Sequence, residues 1–116
     1  MRVTALPTRL VKPGDNLFDV IEEAILQIPE ESVFVITSKI ISICEGRIVG
    51  KSEGVTKHDL VRSEAEYYLD PTDSQYNIML TVNNNQLFVN AGIDESNVED
   101  AFVMWPANLQ EWANEI

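Results

Sequence analysis

The stretch that decides the fold is a strand followed by a polar turn, Leu87-Phe88-Val89-Asn90-Ala91-Gly92-Ile93-Asp94-Glu95-Ser96-Asn97. Asp94 and Glu95 carry carboxylates, which are the oxygen ligands that Mg²⁺, Mn²⁺ and Ca²⁺ prefer. The amide of Asn97 can both donate and accept a hydrogen bond. Gly92 has no Cβ, so a ligand or another strand can approach its backbone closely. The same residue types are also typical of an ordinary surface turn, and both interpretations stay open here.

The residues around this stretch predict strands on both sides of it. Residues 78–82 and 86–90 are apolar runs separated by Asn83-Asn84-Asn85, which indicates a β-hairpin. Residues 102–105 predict another short strand, which Pro106 ends. An amphipathic helix is expected after it, on the apolar positions Leu109, Trp112, Ala113 and Ile116.

The first third of the chain predicts a strand, a turn and a helix. Residues 2–11 have the pattern of a strand interrupted at Pro7, and Lys12-Pro13-Gly14-Asp15 is a turn because proline fixes φ and glycine relaxes it. Asp15 or Asn16 is expected to cap a helix that continues to about Ile28, where Pro29 stops it.

The middle of the chain predicts two strands and a second helix. Residues 33–36 form a continuous apolar run, which is typical of a strand buried on both faces. Residues 40–49 predict a further strand with a bend at Glu45-Gly46. Thr56 and Asp59 have the spacing of a capping box that opens a helix to about Leu69, and His58 in its first turn is expected to be a solvated helix-end histidine.

These elements indicate one domain over residues 1–116. The chain has 45% hydrophobic residues, which fits a globular protein with a core. Strands and helices alternate without a strict βαβ rhythm, so the predicted fold class is α+β, with a mixed sheet and two to three helices.

Charge and cysteine content restrict the class of partner. The net charge is −11 and the isoelectric point is about 4.3, which argues against a general nucleic-acid binder and against binding to anionic membranes. Cys44 is the single cysteine, so no internal disulfide forms, and a cytoplasmic location is expected. The N-terminus has no apolar core followed by a small-residue cleavage site, so no signal peptide is expected, and no apolar run reaches the length of a membrane span.

Two motifs resemble one enzyme family. Thr37-Ser38-Lys39-Ile40-Ile41-Ser42-Ile43-Cys44-Glu45-Gly46-Arg47, together with the block from Ala91 to Asn97, resembles the coenzyme F420-0 γ-glutamyl ligase family. Lys12-Pro13-Gly14-Asp15 before a helix fits the opening of that family. Trp105-Pro106 before a final helix is similar to its branch labelled as folate γ-glutamate ligases.

The resemblance implies a reaction and a set of site residues. The family joins a cofactor carboxylate to the amine of L-glutamate in an amide bond, through an acyl phosphate. The reaction requires GTP and a divalent metal (Mg²⁺ or Mn²⁺). On this resemblance Asp94 is expected to bind the metal and Asn97 to contact the nucleotide. The other expected nucleotide contacts are two segments, Thr8-Arg9-Leu10-Val11 and Thr37-Ser38-Lys39, the second lying at the end of the predicted buried strand.

The sequence also departs from the family in two ways. Ile43 stands where the family often has a nucleotide-binding lysine, and family members are about twice as long, with further metal ligands in their second half. We therefore expect either a homodimer or an assembly with a separately encoded second half, supported by an exposed apolar face around Trp112. The alternative function is a non-catalytic module that keeps the fold and binds a nucleotide or a partner.

Overall fold

The computed structural model describes residues 2–51, 54–95 and 100–116. Within these ranges the chain has four α-helices and two small antiparallel sheets, so the predicted α+β class is confirmed. The chain divides into two compact units. The first comprises Met1–Arg47 and Pro106–Ile116, and the second is Ile48–Trp105.

The first unit begins with an extended segment and helix α1, Leu17–Ala24. The side-chain oxygen of Asn16 accepts a hydrogen bond from the Phe18 amide at 2.8 Å, so the predicted asparagine cap is confirmed. The helix ends at Ala24, four residues before the predicted end, because Ile25 already has extended dihedral angles (φ −127°, ψ 105°). The predicted strand at residues 2–11 is wrong, since residues 2–10 have no regular secondary structure.

Helix α2, Ser38–Cys44, replaces two predicted strands. The prediction of a buried strand at residues 33–36 is wrong: these residues pair with no strand, and Val33 and Val35 are 88% and 81% exposed. The predicted strand at residues 40–49 is also wrong over its first half, because Ile41 is buried on one face of a helix. The Ser42 hydroxyl donates to the Ser38 carbonyl at 3.1 Å, which satisfies a buried polar group inside that helix.

The predicted bend at Glu45-Gly46 is the C-terminal cap of α2. Gly46 has a φ of +70°, and the Gly46 amide donates to the Ile43 carbonyl. The Arg47 amide reaches back to the Ser42 carbonyl at 2.8 Å, which completes the two-bond arrangement that often ends a helix at glycine.

Helix α4, Leu109–Glu115, is fixed to the end of α2 by one carboxylate. Glu45 accepts hydrogen bonds from the Trp112 indole Nε1 at 2.6 Å and from the Ala107 amide at 2.9 Å. The Trp112 ring also packs on Phe18 of α1 at a centroid distance of 6.2 Å. Trp112 is therefore half-buried, and the prediction that it lies at the centre of an exposed face is wrong.

The second unit holds both sheets and helix α3, Lys57–Glu64. Strands β1 (Ile48–Gly50) and β5 (Ala101–Val103) pair with each other. Strands β2 (Tyr67–Tyr68), β3 (Leu80–Asn83) and β4 (Gln86–Val89) form the other sheet in that order. Six buried side chains form the core of this unit: Val61, Met79, Ala91, Ile93, Phe102 and Met104.

Two local predictions in this unit are confirmed. Thr56 and Asp59 form the capping box of α3, although the helix ends at Glu64 because Tyr67 begins β2. The hairpin of β3 and β4 turns at Asn84 and Asn85, whose φ angles of 49° and 59° match a tight two-residue turn. None of the helices in the described part of the chain has both the length and the apolar content that a membrane span requires.

Candidate functional site

The turn after β4 leads to Asp94 through three residues with positive φ. Asn90, Ala91 and Gly92 have φ angles of 52°, 49° and 74°. The Asn90 amide donates to the Met79 carbonyl at 2.7 Å, and its side-chain oxygen accepts from the Met79 amide at 2.9 Å. The Ala91 amide donates to the buried Thr81 hydroxyl at 3.0 Å. These bonds hold the turn in a backbone conformation that L-residues rarely adopt.

Gly92 is required at this turn by sterics as well as by its φ. A Cβ built on Gly92 would lie 2.4 Å from Cε3 of Trp105 and 2.9 Å from its Cδ2. The Trp105 ring is itself held by an edge-to-face contact with Phe88, with centroids 5.1 Å apart. The indole therefore takes the space that a side chain would need.

Asp94 follows this turn on a fixed backbone. Its amide donates to the Val103 carbonyl at 2.9 Å, and its carbonyl accepts from the Val103 amide at 2.7 Å, which forms an antiparallel bridge to β5. Ile93 before it is buried in the core, whereas Asp94 is half-buried. The position of Asp94 is thus set by the strand pairing. Asn97, the other residue expected from this block, lies outside the described residues.

Glu95, the residue after Asp94, forms ion pairs with two lysines. The Lys51 Nζ lies 3.5 Å from Glu95 Oε2, and the Lys57 Nζ lies 3.5 Å from Glu95 Oε1. The Lys51 Nζ also lies 5.3 Å from the centroid of the Phe102 ring. Sequence reasoning did not select these lysines, because ion pairs between residues this far apart in the chain leave no local pattern.

The carboxylate of Asp94 fits a divalent metal only when a phosphate-bearing ligand supplies further oxygen atoms. Among residues 2–51, 54–95 and 100–116, no three His, Cys, Asp or Glu side chains come close enough to hold a metal ion. Asp94 offers one carboxylate, and Glu95 faces two lysines. Mg²⁺ is commonly held by one or two carboxylates with phosphate oxygens and water completing its shell, so the chemistry of Asp94 fits this metal when a phosphate is present.

The predicted first nucleotide segment lies before α1, where Arg9 is engaged with acidic side chains. Its Nη1 is 2.6 Å from Asp15 Oδ2, and its Nε is 2.8 Å from Glu23 Oε2. The Arg9 guanidinium donates a hydrogen bond to the Asp15 carboxylate. This bond is the main cause of both the raised pKa of Arg9 and the lowered pKa of Asp15. Thr8, Arg9 and Leu10 are exposed, and Val11 is half-buried.

The predicted second nucleotide segment begins helix α2. Thr37 is the exposed N-cap residue, and its side chain makes no capping hydrogen bond. Ser38 is the first residue of the helix, and Lys39 follows it, both half-buried. These residues therefore lie at a helix N-terminus and not, as predicted, at the end of a buried strand. Both predicted nucleotide segments belong to the first unit, and Asp94 belongs to the second.

Cys44 is not suited to be a nucleophile. Burial is the main cause of the raised pKa of its thiol, and the nearby charge of Asp15 raises it further. A raised pKa leaves little thiolate near neutral pH, and the thiolate is the reactive form.

The chain is thus an α+β protein in which the backbone of Asp94 is bridged to β5 and the next residue, Glu95, forms ion pairs with two lysines. It belongs to the F420-0:gamma-glutamyl ligase family, because the sequence model of that family matches residues 5–116. The resemblance seen in the two motifs is thereby confirmed, and the family supports a ligase activity in general. Comparison with individual curated proteins gives no match.

Proposed function

We propose that this chain carries the nucleotide- and metal-binding function of a GTP-dependent γ-glutamyl ligase, with Mg²⁺ or Mn²⁺ as its metal and L-glutamate as a substrate. The observation that supports the proposal most is the family match over residues 5–116. It includes Asp94, whose backbone is held on β5 by two hydrogen bonds.

In this proposal each substrate has a defined fate. The terminal phosphoryl group of GTP moves to a carboxylate of the acceptor, which gives an acyl phosphate and GDP. The amine of L-glutamate then attacks the acyl carbon, loses a proton and expels inorganic phosphate. A bound divalent cation would neutralise phosphate charge during both steps.

The residues of the chain have distinct roles in this proposal. The Asp94 carboxylate holds the metal, and the bridge to Val103 keeps the Asp94 backbone in place before any ligand binds. Thr37, Ser38 and Lys39 offer two hydroxyl groups and an ammonium group to phosphate oxygens. Thr8, Arg9, Leu10 and Val11 supply the other nucleotide contacts, and Arg9 exchanges its bonds to Asp15 and Glu23 for phosphate.

The alternative function is a non-catalytic member that binds a nucleotide or a protein partner without turnover. It is favoured by the isoleucine at position 43, where the resemblance predicts a lysine, and by the lack of a three-carboxylate cluster among the described residues. Both functions include a location in the cytoplasm, for which the single cysteine is the supporting observation.

A thermal-shift titration tests the nucleotide and metal binding on which the proposed ligase function depends. GTP with Mg²⁺ or Mn²⁺ is expected to raise the unfolding temperature of the parent chain, because a ligand that binds only the native state stabilises it. Asp94→Asn has nearly the same size and no charge, and it is expected to lose the metal-dependent part of the shift while its unfolding temperature without ligand changes little.

Lys39→Ala is the companion variant, and it is expected to weaken GTP binding with or without metal. If Asp94→Asn responds to GTP and Mg²⁺ like the parent, the metal assignment is wrong. A parent chain that binds GTP and metal but forms no amide from L-glutamate and an acceptor carboxylate would favour the non-catalytic function.

A further inference from the structure

Three clusters of ion pairs in the described part of the chain differ in the sign of their charge. Two of them place one cation between two carboxylates: Arg9 with Asp15 and Glu23, and Arg62 with Asp59 and Asp70. The third places two cations on one carboxylate, Glu95, with Lys51 and Lys57. Counted over its three paired side chains alone, without the neighbouring carboxylate of Asp94, the third cluster has two cations for one anion, in a chain whose net charge is −11.

The two lysines reach this cluster from different elements. Lys51 follows β1 directly, and its amide donates to the Asp100 carbonyl at 2.8 Å. Lys57 is the first residue of α3, next to the Thr56 cap. Both the strand pairing and the capping box therefore fix the backbone from which each lysine extends, and the Phe102 ring lies against the Lys51 ammonium group.

The geometry around Glu95 is that of a held oxyanion. Each ammonium group faces a different oxygen of the same carboxylate, both at 3.5 Å. The side chain of Glu95 is 46% exposed, so its ion pairs are accessible to water and are weakened by it. A phosphate group has more negative charge and more acceptor oxygens than a carboxylate, and it can replace Glu95 between the lysines.

We propose that Lys51 and Lys57 form a phosphate-binding subsite, and that Glu95 occupies this subsite until a phosphate group displaces it. The proposal rests on the proposed function in one respect, since the nucleotide or the acyl phosphate would supply that group. Glu95 follows Asp94 directly in the chain. A phosphate that takes the place of the Glu95 carboxylate between the two lysines is therefore bound next to the segment that carries the expected metal ligand. Glu95 then acts as an internal competitor that sets the affinity of the subsite.

The experiment measures binding of pyrophosphate to the full chain by isothermal titration calorimetry. The buffer has low ionic strength and contains EDTA, so the result does not depend on a metal at Asp94. Lys51→Met and Lys57→Met keep the apolar stem and remove the charge, and each is expected to weaken binding by about tenfold. Glu95→Gln removes the competing charge and is expected to tighten binding by about threefold to tenfold.

Two further variants make the test specific. Arg62→Met removes another cation from α3 and is expected to leave the affinity unchanged, because Arg62 belongs to a different cluster. Glu95→Gln combined with Lys57→Met is expected to lose the gain of the single Glu95 variant. Lys51→Gln serves as a second polar replacement, and circular dichroism confirms that each variant is folded.

L-Glutamate is titrated in the same way, because its carboxylates are also oxyanions. Binding of pyrophosphate that follows the lysine and Glu95 variants supports the phosphate subsite. Binding of L-glutamate but not pyrophosphate with the same dependence would overturn the phosphate assignment. The proposal is also overturned if Glu95→Gln weakens binding or leaves it unchanged, or if both lysine variants bind like the parent. Since no metal is present, these outcomes are independent of the Asp94→Asn result, and either proposal can fail without the other.

Discussion

Gly92 shows how a single residue positions the candidate site. Its φ of +74° is available to glycine at low cost, and the Trp105 indole occupies the space beside its Cα. The turn that depends on Gly92 lies two residues before Asp94. The closeness of glycine and indole therefore contributes both to stability and to the position of the expected metal ligand.

Gly92→Ala is expected to lower the free energy of unfolding by about 2–4 kcal/mol, because a methyl group would have strained backbone angles and would overlap the indole. Urea denaturation followed by circular dichroism measures this change. Gly14→Ala is the matched control. Gly14 has a φ of +83°, but no atom lies within 4 Å of its added Cβ. Gly14→Ala therefore introduces backbone strain without a steric overlap, and it is expected to lower the free energy of unfolding by less than Gly92→Ala does. Equal losses in the two variants would contradict the steric role of Trp105.

At the scale of the element, the capping box of α3 links helix stability to pH. The Thr56 hydroxyl hydrogen-bonds to the Asp59 carboxylate and is the main cause of its lowered pKa, which lies below the ordinary value of 3.8. A carboxyl group with a lower pKa in the folded than in the unfolded state adds stability above the unfolded pKa. That stability is lost as the pH falls through the folded pKa.

We therefore expect Thr56→Ala to flatten the decrease in unfolding free energy on acidification from about pH 5 to pH 2, since the hydroxyl that lowers the Asp59 pKa is gone. At neutral pH the same variant is expected to lose about 1 kcal/mol through the missing cap. Urea denaturation at a series of pH values measures both effects. Thr56→Ser retains the hydroxyl and should follow the parent, and an unchanged acid slope in Thr56→Ala would contradict the linkage.

Elements with chemical start and stop signals could be predicted from the sequence. The Asn16 cap, the Thr56 capping box and the asparagine turn were all found, because each depends on neighbouring residues. The apolar run at residues 40–44 was assigned wrongly to a strand, because a short apolar segment rich in isoleucine has no periodicity that separates helix from strand. In the structure this run is a helix, in which the Ser42 hydroxyl donates to the Ser38 carbonyl and which a cap at Gly46 ends.

The candidate site could be predicted only in part for a related reason. Asp94 was selected because it stands in a recognisable block of sequence, and its role as a metal ligand stays a prediction; the structure shows that its backbone is bridged to β5. Lys51 and Lys57 meet Glu95 through the packing of β1, α3 and β5, which brings together residues 38 or more positions apart in the chain. Such long-range contacts are consequences of the tertiary fold and are not encoded in local patterns.

At the scale of the whole molecule, exposed apolar side chains favour association. In the first unit Val3, Leu10, Leu26, Val33 and Val35 are each more than 80% exposed, and in the second Tyr67 and Leu87 are 72% exposed. Large exposed apolar areas usually mark an interface. We propose that the chain works as a homodimer.

We expect a dilution series in light scattering to give a mass above that of the 13.1 kDa chain at high concentration. Added salt is expected to shift the equilibrium further toward the assembly, because it screens the repulsion between acidic copies. Val35→Lys adds a charge to the exposed segment and should favour the monomer. Gln27→Lys adds the same charge at an exposed polar position and is the control for charge alone. A monomer mass at every concentration and salt level would contradict self-association.

The exposed segment at residues 33–36 has a further consequence, for colloidal behaviour. It has no regular secondary structure and its valines face water, so two copies could pair there as the strands of a fibril do. Glu30 and Glu31 precede it, as charged gatekeeper residues often flank an apolar segment. Near the isoelectric point of about 4.3 the net charge of the chain vanishes, and the repulsion between copies is lost. Mild acid is therefore the condition in which this protein is most prone to fibrils and precipitation.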